Sequence, residues 1–166
     1  MSRDLGSAPL PPVDPNEHVR GSGAVVVIEY GDYECPFCAR VDALLADRPL
    51  TRVFRHFPVL SKHPRAKVLA AAAEAAALQG RFWEMHDSLF ADQGHLDDPH
   101  LWRRAESFGL DLDRFERDRR SDAVAERVAQ DFRGGLRAGV MGTPAVFVDG
   151  VAQAADTLVA TLIEEV

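Results

Sequence analysis

The sequence predicts an α/β fold in which a mixed sheet is interrupted by a long helical insertion. Three observations lead there. An unbroken apolar run, Ala24-Val25-Val26-Val27-Ile28-Glu29-Tyr30, reads as a strand buried on both faces. A helix-like stretch, Ala39 to Ala46, and a second strand-like run, Thr51 to Phe57, follow it and make a right-handed parallel βαβ unit. Residues 61–138 then carry helical periodicity, before Ala145-Val146-Phe147-Val148, Asp149-Gly150 and Val151 restore a strand and a two-residue hairpin signal.

Residues 1–23 read as an extended arm, with Pro9, Pro11, Pro12 and Pro15 breaking any periodicity, His18-Val19-Arg20 as a short edge strand, and Gly21-Ser22-Gly23 as a turn. In the second strand Val53 and Phe57 are core candidates, His56 reads as a strand-end or surface residue, and Pro58 closes the strand. The alanine-rich stretch Pro64–Leu78 has high helix propensity, and Gly80 ends it. Arg81–Ala91 continues with Phe82, Met85, Leu89 and Phe90 on one face, His86 lying beside them as a core or boundary residue. Asp98-Pro99 opens a helix through Phe108, and Asp111 or Asp113 caps the next, which carries Phe115. Val124, Val128, Phe132 and Leu136 mark a core stripe on a further helix, whose end Gly134-Gly135 weakens. Thr157–Glu165, capped by Asp156, reads as a closing helix. The organisation expected is an arm (1–23), a main domain (24–60 and 139–166) and an inserted helical subdomain (61–138).

A chain of 166 residues with 46% hydrophobic and 27% charged residues has enough material for one substantial core. Its net charge of −7, without a long basic run, speaks against nucleic acid or an anionic membrane as partner. No stretch is long and apolar enough to span a membrane, and Met1 to Pro12 shows no apolar signal-peptide core. The expectation is a cytoplasmic protein, or an exported one if Met1 stands in place of a removed leader.

The chemistry centres on Cys35-Pro36-Phe37-Cys38, where the buried strand hands over to the helix through Gly31-Asp32-Tyr33-Glu34. The first turn of a helix offers unpaired N–H groups and the positive end of the dipole, both of which favour a thiolate. Pro36 suits the first turn because its missing N–H would be unbonded there anyway. Cys35 is then expected to be exposed and acidic, on a solvent-facing turn with Asp32 and Glu34, and Cys38 more buried. Structural zinc needs further ligands at short spacing, and the chain has two cysteines and no H-x₃₋₅-H pair near the motif among its six histidines. No metal site is expected. Glu29, six residues before Cys35, is a carboxylate inside a buried strand, costly there unless it has a task.

Taken together, Asp32-Tyr33-Glu34-Cys35-Pro36-Phe37-Cys38, Phe54-Arg55-His56-Phe57-Pro58 with His63-Pro64, Gly80-Arg81-Phe82-Trp83-Glu84-Met85-His86 and Val140-Met141-Gly142-Thr143-Pro144-Ala145-Val146-Phe147-Val148-Asp149-Gly150 resemble, in order and spacing, the DsbA-like family of thioredoxin-fold proteins over residues 17–165. The resemblance implies a thioredoxin fold with the helical insertion between the second strand and a cis-proline hairpin. It implies a thiol-disulfide oxidoreductase acting on protein thiols and disulfides, with an unidentified redox partner and no cofactor beyond the Cys35–Cys38 pair. Cys35 corresponds to the attacking cysteine, Cys38 to the resolving one, and Glu29 to a buried acid beneath the disulfide. Pro36, Phe37, Thr143 and Pro144 form the substrate-facing surface, with Thr143-Pro144 as the cis-proline loop.

Phe37 stands where the strongly oxidising members carry a histidine, so it supplies no side-chain donor. A helix N-terminus alone lowers a thiol from ~8.5 to about 7. The expectation is a moderately acidic Cys35 and a pair less oxidising than those members. Two other readings keep the fold: a glutathione-linked transferase or isomerase, against which the retention of both cysteines speaks, and a chaperone-like peptide-binding module that needs neither.

Overall fold

The computed structural model describes residues 8–154 and 157–158. In chain order it contains β1 (His18–Arg20), β2 (Val26–Gly31), α1 (Pro36–Leu45), β3 (Thr51–His56), α2 (Ala66–Ala77), α3 (Phe82–Ala91), α4 (Asp98–Ser107), α5 (Leu112–Arg119), α6 (Asp122–Arg137), β4 (Ala145–Val148) and β5 (Val151–Gln153). The strands form one sheet in the order β1-β3-β2-β4-β5. β2 and β3 are parallel, with Val26 opposite Thr51 and Gly31 opposite His56; every other pairing is antiparallel. This is a thioredoxin-like α/β fold. The closing helix expected over Thr157–Glu165, with its Asp156 cap, lies outside the described residues except for 157–158.

The apolar run of β2 packs on both sides because two cores sandwich it. Val27 joins Val25, Val41, Leu45, Leu50, Val146 and Val148 beneath α1. Ile28 and Tyr30 meet Val53, Phe57 and Val140 on the opposite face, against which Phe132 of α6 packs. A third core fills the space between the sheet and the insertion helices, and it contains Tyr33, Cys35, Cys38, Phe54, Leu69, Met85, Leu89, Phe90, Leu101 and Phe115. The pair of cysteines therefore belongs to the seam where the inserted helices meet the sheet.

One expectation is corrected in β3. Its polar side chains do not face solvent: Arg52, Arg55 and His56 are all buried. Each has polar partners that make burial tolerable. Arg52 donates to Asp42 (2.7 Å), and Arg55 donates to Glu17, to the Tyr30 hydroxyl and to the carbonyls of Pro11 and Pro12. His56, expected at the surface, is 1% exposed and bonds Glu74.

Asp111, and not Asp113, caps α5, accepting from the Arg114 N–H. α6 runs through Gly134-Gly135 to Arg137. Glycine is needed at 135 because a Cβ there would lie 2.9 Å from Phe57 and Tyr30 ring carbons, so α6 approaches the sheet more closely than any side chain permits. Leu136, assigned to the core stripe, is 50% exposed at the end of that helix. The β4–β5 turn is Asp149-Gly150, both with positive φ (46° and 82°), as a two-residue hairpin requires.

Candidate active site

Cys35 is the N-cap of α1 and Pro36 opens its first turn. The Cys38 N–H donates to Cys35 Sγ at 3.4 Å. The turn before it is held from three sides. Buried Asp32 accepts from the Glu34 N–H (2.9 Å), the Val59 N–H (2.9 Å) and His63 Nδ1 (2.9 Å). Glu34 accepts from the Arg65 N–H, and Gln93 donates to the Tyr33 and Cys35 carbonyls. The expectation of a solvent-facing acidic turn is thus corrected: Asp32 is 2% exposed, because the loop after β3 and its own backbone need its oxygens.

Thr143-Pro144 is a cis peptide bond. It brings the Thr143 carbonyl to 3.7 Å from Cys35 Sγ, which donates to it. This loop explains a further correction: Cys35 is 3% exposed where an exposed thiol was expected. Phe37 is exposed, and Met141, just before the loop, is the most exposed large apolar residue described (92%). Beside the loop runs an apolar groove of about 470 Å³ between the segment after β3 and α6, lined among others by Phe57, Val59, Leu60, Phe132, Leu136 and Met141. The sequence reading assigned no role to this groove.

Both cysteines are free thiols. The Cys38 thiol donates to the Cys35 sulfur, and this bond lowers Cys35 to about 5; burial opposes it, while the Cys38 and Phe37 N–H groups and the Thr143 side chain reinforce it. The expectation of about 7 counted only the helix end; the structure adds the neighbouring thiol, two directed N–H groups and Thr143. Cys38 is pushed upward by the same bond, by burial and by the charge of Glu29.

Glu29 is 2% exposed, with neither carboxylate oxygen hydrogen-bonded to any of the described residues. Burial raises it to about 8; Arg52 works against this, and Asp42 and Cys35 add to it. Arg52 lies 3.8 Å from Glu29 but makes its close contact with Asp42. The acid at the back of the site is therefore neutral through most of the neutral range. The residues that set this balance, Asp42, Arg52 and His86, were not identified from sequence. His86 joins Asp42 (3.0 Å) to the Tyr33 hydroxyl (3.0 Å), and burial lowers it to about 4. Burial opposes charge on Asp42 too, but hydrogen bonds from His86 and Arg52 bring it down to about 2. The signal available was Asp42 four residues after Cys38, on the same face of α1, opposite an arginine in a strand.

A strand, a C-x-x-C turn capping a helix and a cis-proline loop closing over the first sulfur define the thiol-disulfide oxidoreductase class of thioredoxin-fold proteins. Comparison with known proteins shows the family. The profile of the DSBA-like thioredoxin domain matches residues 50–162, and the chain belongs to that family. A thioredoxin-like oxidoreductase from Silicibacter pomeroyi DSS-3 superposes with a TM-score of 0.74 at 30% identity, over 91% of this chain and 92% of that one. BdbD from Bacillus subtilis, in its oxidised form, shares the fold with a TM-score of 0.74 at 20% identity, over 90% of this chain and 92% of its own. The Na(+)/H(+) antiporter NhaA 1 of Salinispora arenicola is 48% identical over 147 residues, which cover 84% of this chain and 22% of the antiporter. The chain spans about a quarter or less of the curated relatives it matches. Among the described residues no helix is long and apolar enough to cross a membrane.

Proposed function

We propose that the protein exchanges disulfides with protein substrates through Cys35 and Cys38. The observation that carries this reading is the contact set of Cys35 Sγ: a Cys38 N–H at 3.4 Å that favours the thiolate, and the carbonyl of Thr143, the residue before Pro144, at 3.7 Å. In the oxidising direction a substrate thiolate attacks Cys35 Sγ, the Cys35–Cys38 bond breaks, and Cys38 leaves with the electron pair and takes a proton. A second substrate thiolate then attacks the substrate sulfur of the mixed disulfide and releases Cys35 as a thiolate. Two electrons pass from two substrate thiols to the pair, and the reverse sequence reduces a disulfide. In the oxidising direction Glu29, in its neutral form, supplies the Cys38 proton, and in the reducing direction its carboxylate form accepts it. An extended substrate pairs with the backbone of Thr143 at the cis-proline loop, Pro36 and Phe37 flank it, and an apolar substrate side chain enters the groove beside Met141.

A thiolate near 5 makes the pair more oxidising than the helix end alone would, since stabilising the reduced form raises the potential. The test is equilibration of the pair with glutathione and trapping of free thiols. The expected potential lies between about −120 mV, the strongly oxidising end, and about −230 mV. Alkylation of the reduced protein should show a midpoint near pH 5, not near the ordinary value of 9. Failure to form any disulfide sinks the enzyme reading in favour of a peptide-binding module.

The antiporter relatives favour a second reading in which the substrate is a membrane transport protein. A Cys38→Ala variant, unable to resolve, should then retain a mixed disulfide with an integral membrane protein. Capture of water-soluble partners alone overturns it.

A further inference from the structure

Among the described residues two clusters of metal-ligating side chains stand out apart from the cysteines, and in one of them no arginine is hydrogen-bonded to the carboxylate. In the first, Asp42, His86 and Asp87 lie together, but Arg52 bonds Asp42 at 2.7 Å and Arg20 bonds Asp87 at 2.7 Å. Guanidinium groups already neutralise these carboxylates, which leaves no deficit for a cation. In the second, His18 of β1, His56 of β3 and Glu74 of α2 bring three ligand atoms within 4.8 Å of one another. His18 Nε2 is 2.6 Å and His56 Nε2 is 2.8 Å from the same Glu74 oxygen, Oε1.

We propose that His18, His56 and Glu74 form a binding site for one divalent transition-metal ion of the zinc type. Four observations support it. The donor set, two imidazoles and a carboxylate, is one that such ions accept, and three protein ligands leave a coordination position open. The two imidazole nitrogens converge on one point from elements 38 positions apart in the chain, so the arrangement is built by the tertiary fold. Glu74 is a buried carboxylate, and a single oxygen of it meets both imidazoles. Its hydrogen-bond partners are the two imidazoles; Arg127 lines the same region and bonds Asp131, and its charge also acts on Glu74. Finally, His18 and Glu74 open on a cavity of about 550 Å³, lined further by Asn16, Phe82 and Trp83, which gives an ion and its fourth ligand a way in.

The ion displaces the protons now shared between the rings and the carboxylate, and each Nε2 turns from donor to ligand. One feature limits the affinity. His56 Nδ1 is buried without a partner among the described residues, so none of them anchors the far side of that ring. Sites lacking such an anchor bind roughly 10–100-fold more weakly than anchored ones. The ion would tie the edge strand to the centre of the sheet and to α2, and this site lies apart from the cysteines.

The test is titration of the full chain, with Cys35 and Cys38 oxidised so that no thiolate competes, using Zn²⁺ by calorimetry and Co²⁺ by visible absorption. The expected result is one ion per chain, tetrahedral-type Co²⁺ bands and a rise in thermal midpoint with Zn²⁺. His18→Ala, on the sheet edge, and Glu74→Gln should each weaken binding at least ~10-fold, while Asp87→Asn leaves it unchanged. Circular dichroism of each variant separates lost binding from lost fold, and His18→Gln replaces any variant that does not fold. Substoichiometric binding, binding that survives folded His18 variants, or binding lost in Asp87→Asn overturns the proposal.

Discussion

Glu29 and Glu74 are both buried against the same sheet, and they end in opposite charge states. Glu29, on β2 behind the cysteines, has no hydrogen-bond donor on either oxygen among the described residues and is raised to about 8. Glu74, on α2 across β3, receives two imidazoles on one oxygen and is held ionised. Burial works on both in the same direction; the difference lies in the donors. A carboxylate with directed donors becomes a fixed charge, and one without them becomes a group that changes protonation near neutrality. The first serves as an anchor or ligand. The second suits an active site that must pass a proton.

The largest expected effect is on the pH dependence of stability. The folded value of Glu29, about 8, exceeds its unfolded value, 4.5, so the native state holds the proton more tightly. Its contribution is fully present below pH 4.5 and is lost as the pH rises through 8. The loss amounts to about 5 kcal/mol across that window. Urea unfolding from pH 4.5 to 8 should show this slope in the protein and not in Glu29→Gln, which gains relative stability at the upper end. Equal slopes would mean that Glu29 is solvated and that the contrast fails. Glu74→Gln should cost ~1.5–3 kcal/mol at neutral pH, since it replaces the charged acceptor of two buried hydrogen bonds by a neutral amide. The sign is opposite: the Glu74 contribution is present above its unfolded value of 4.5 and disappears as the pH falls below it. The smallest effect is expected at Phe37, which is exposed, with Arg40 over its ring. Phe37→His should lower the alkylation midpoint of Cys35 by less than ~1 unit and leave stability within ~0.5 kcal/mol. A larger shift would show that the site lacks donors despite the N–H groups aimed at Cys35.

The parts of the molecule legible in the sequence were those with a period or a local motif. The β2 run, the C-x-x-C helix start, the Asp149-Gly150 hairpin and the order of the insertion helices all announce themselves within a dozen residues. What was not legible depends on pairs far apart in the chain. Arg52, Arg55 and His56 look like a polar face until Asp42, Glu17 and Glu74, from three other segments, are seen to meet them. Asp32 looked wet because its three donors come from Glu34, Val59 and His63, two of them far along the chain. The acidity of Cys35 was underestimated for a related reason. The helix end can be inferred from sequence, whereas the Cys38 thiol and Thr143 contacts exist only once the chain is folded.

The Arg55 guanidinium has a consequence for how far the chain can be shortened. It reaches from the middle of β3 to the carbonyls of Pro11 and Pro12 and to Glu17, all in the arm before the sheet. The arm contributes little to the apolar cores, and on hydrophobic grounds a chain starting at residue 24 would look complete. Such a chain would leave a cation inside the protein with the Tyr30 hydroxyl as its remaining side-chain partner among those described. It would also lack His18 and the edge strand. Residues 8–23 are thus an integral part of the fold, acting as a counter-charge and a set of acceptors for a residue that the chain reaches only some forty positions later.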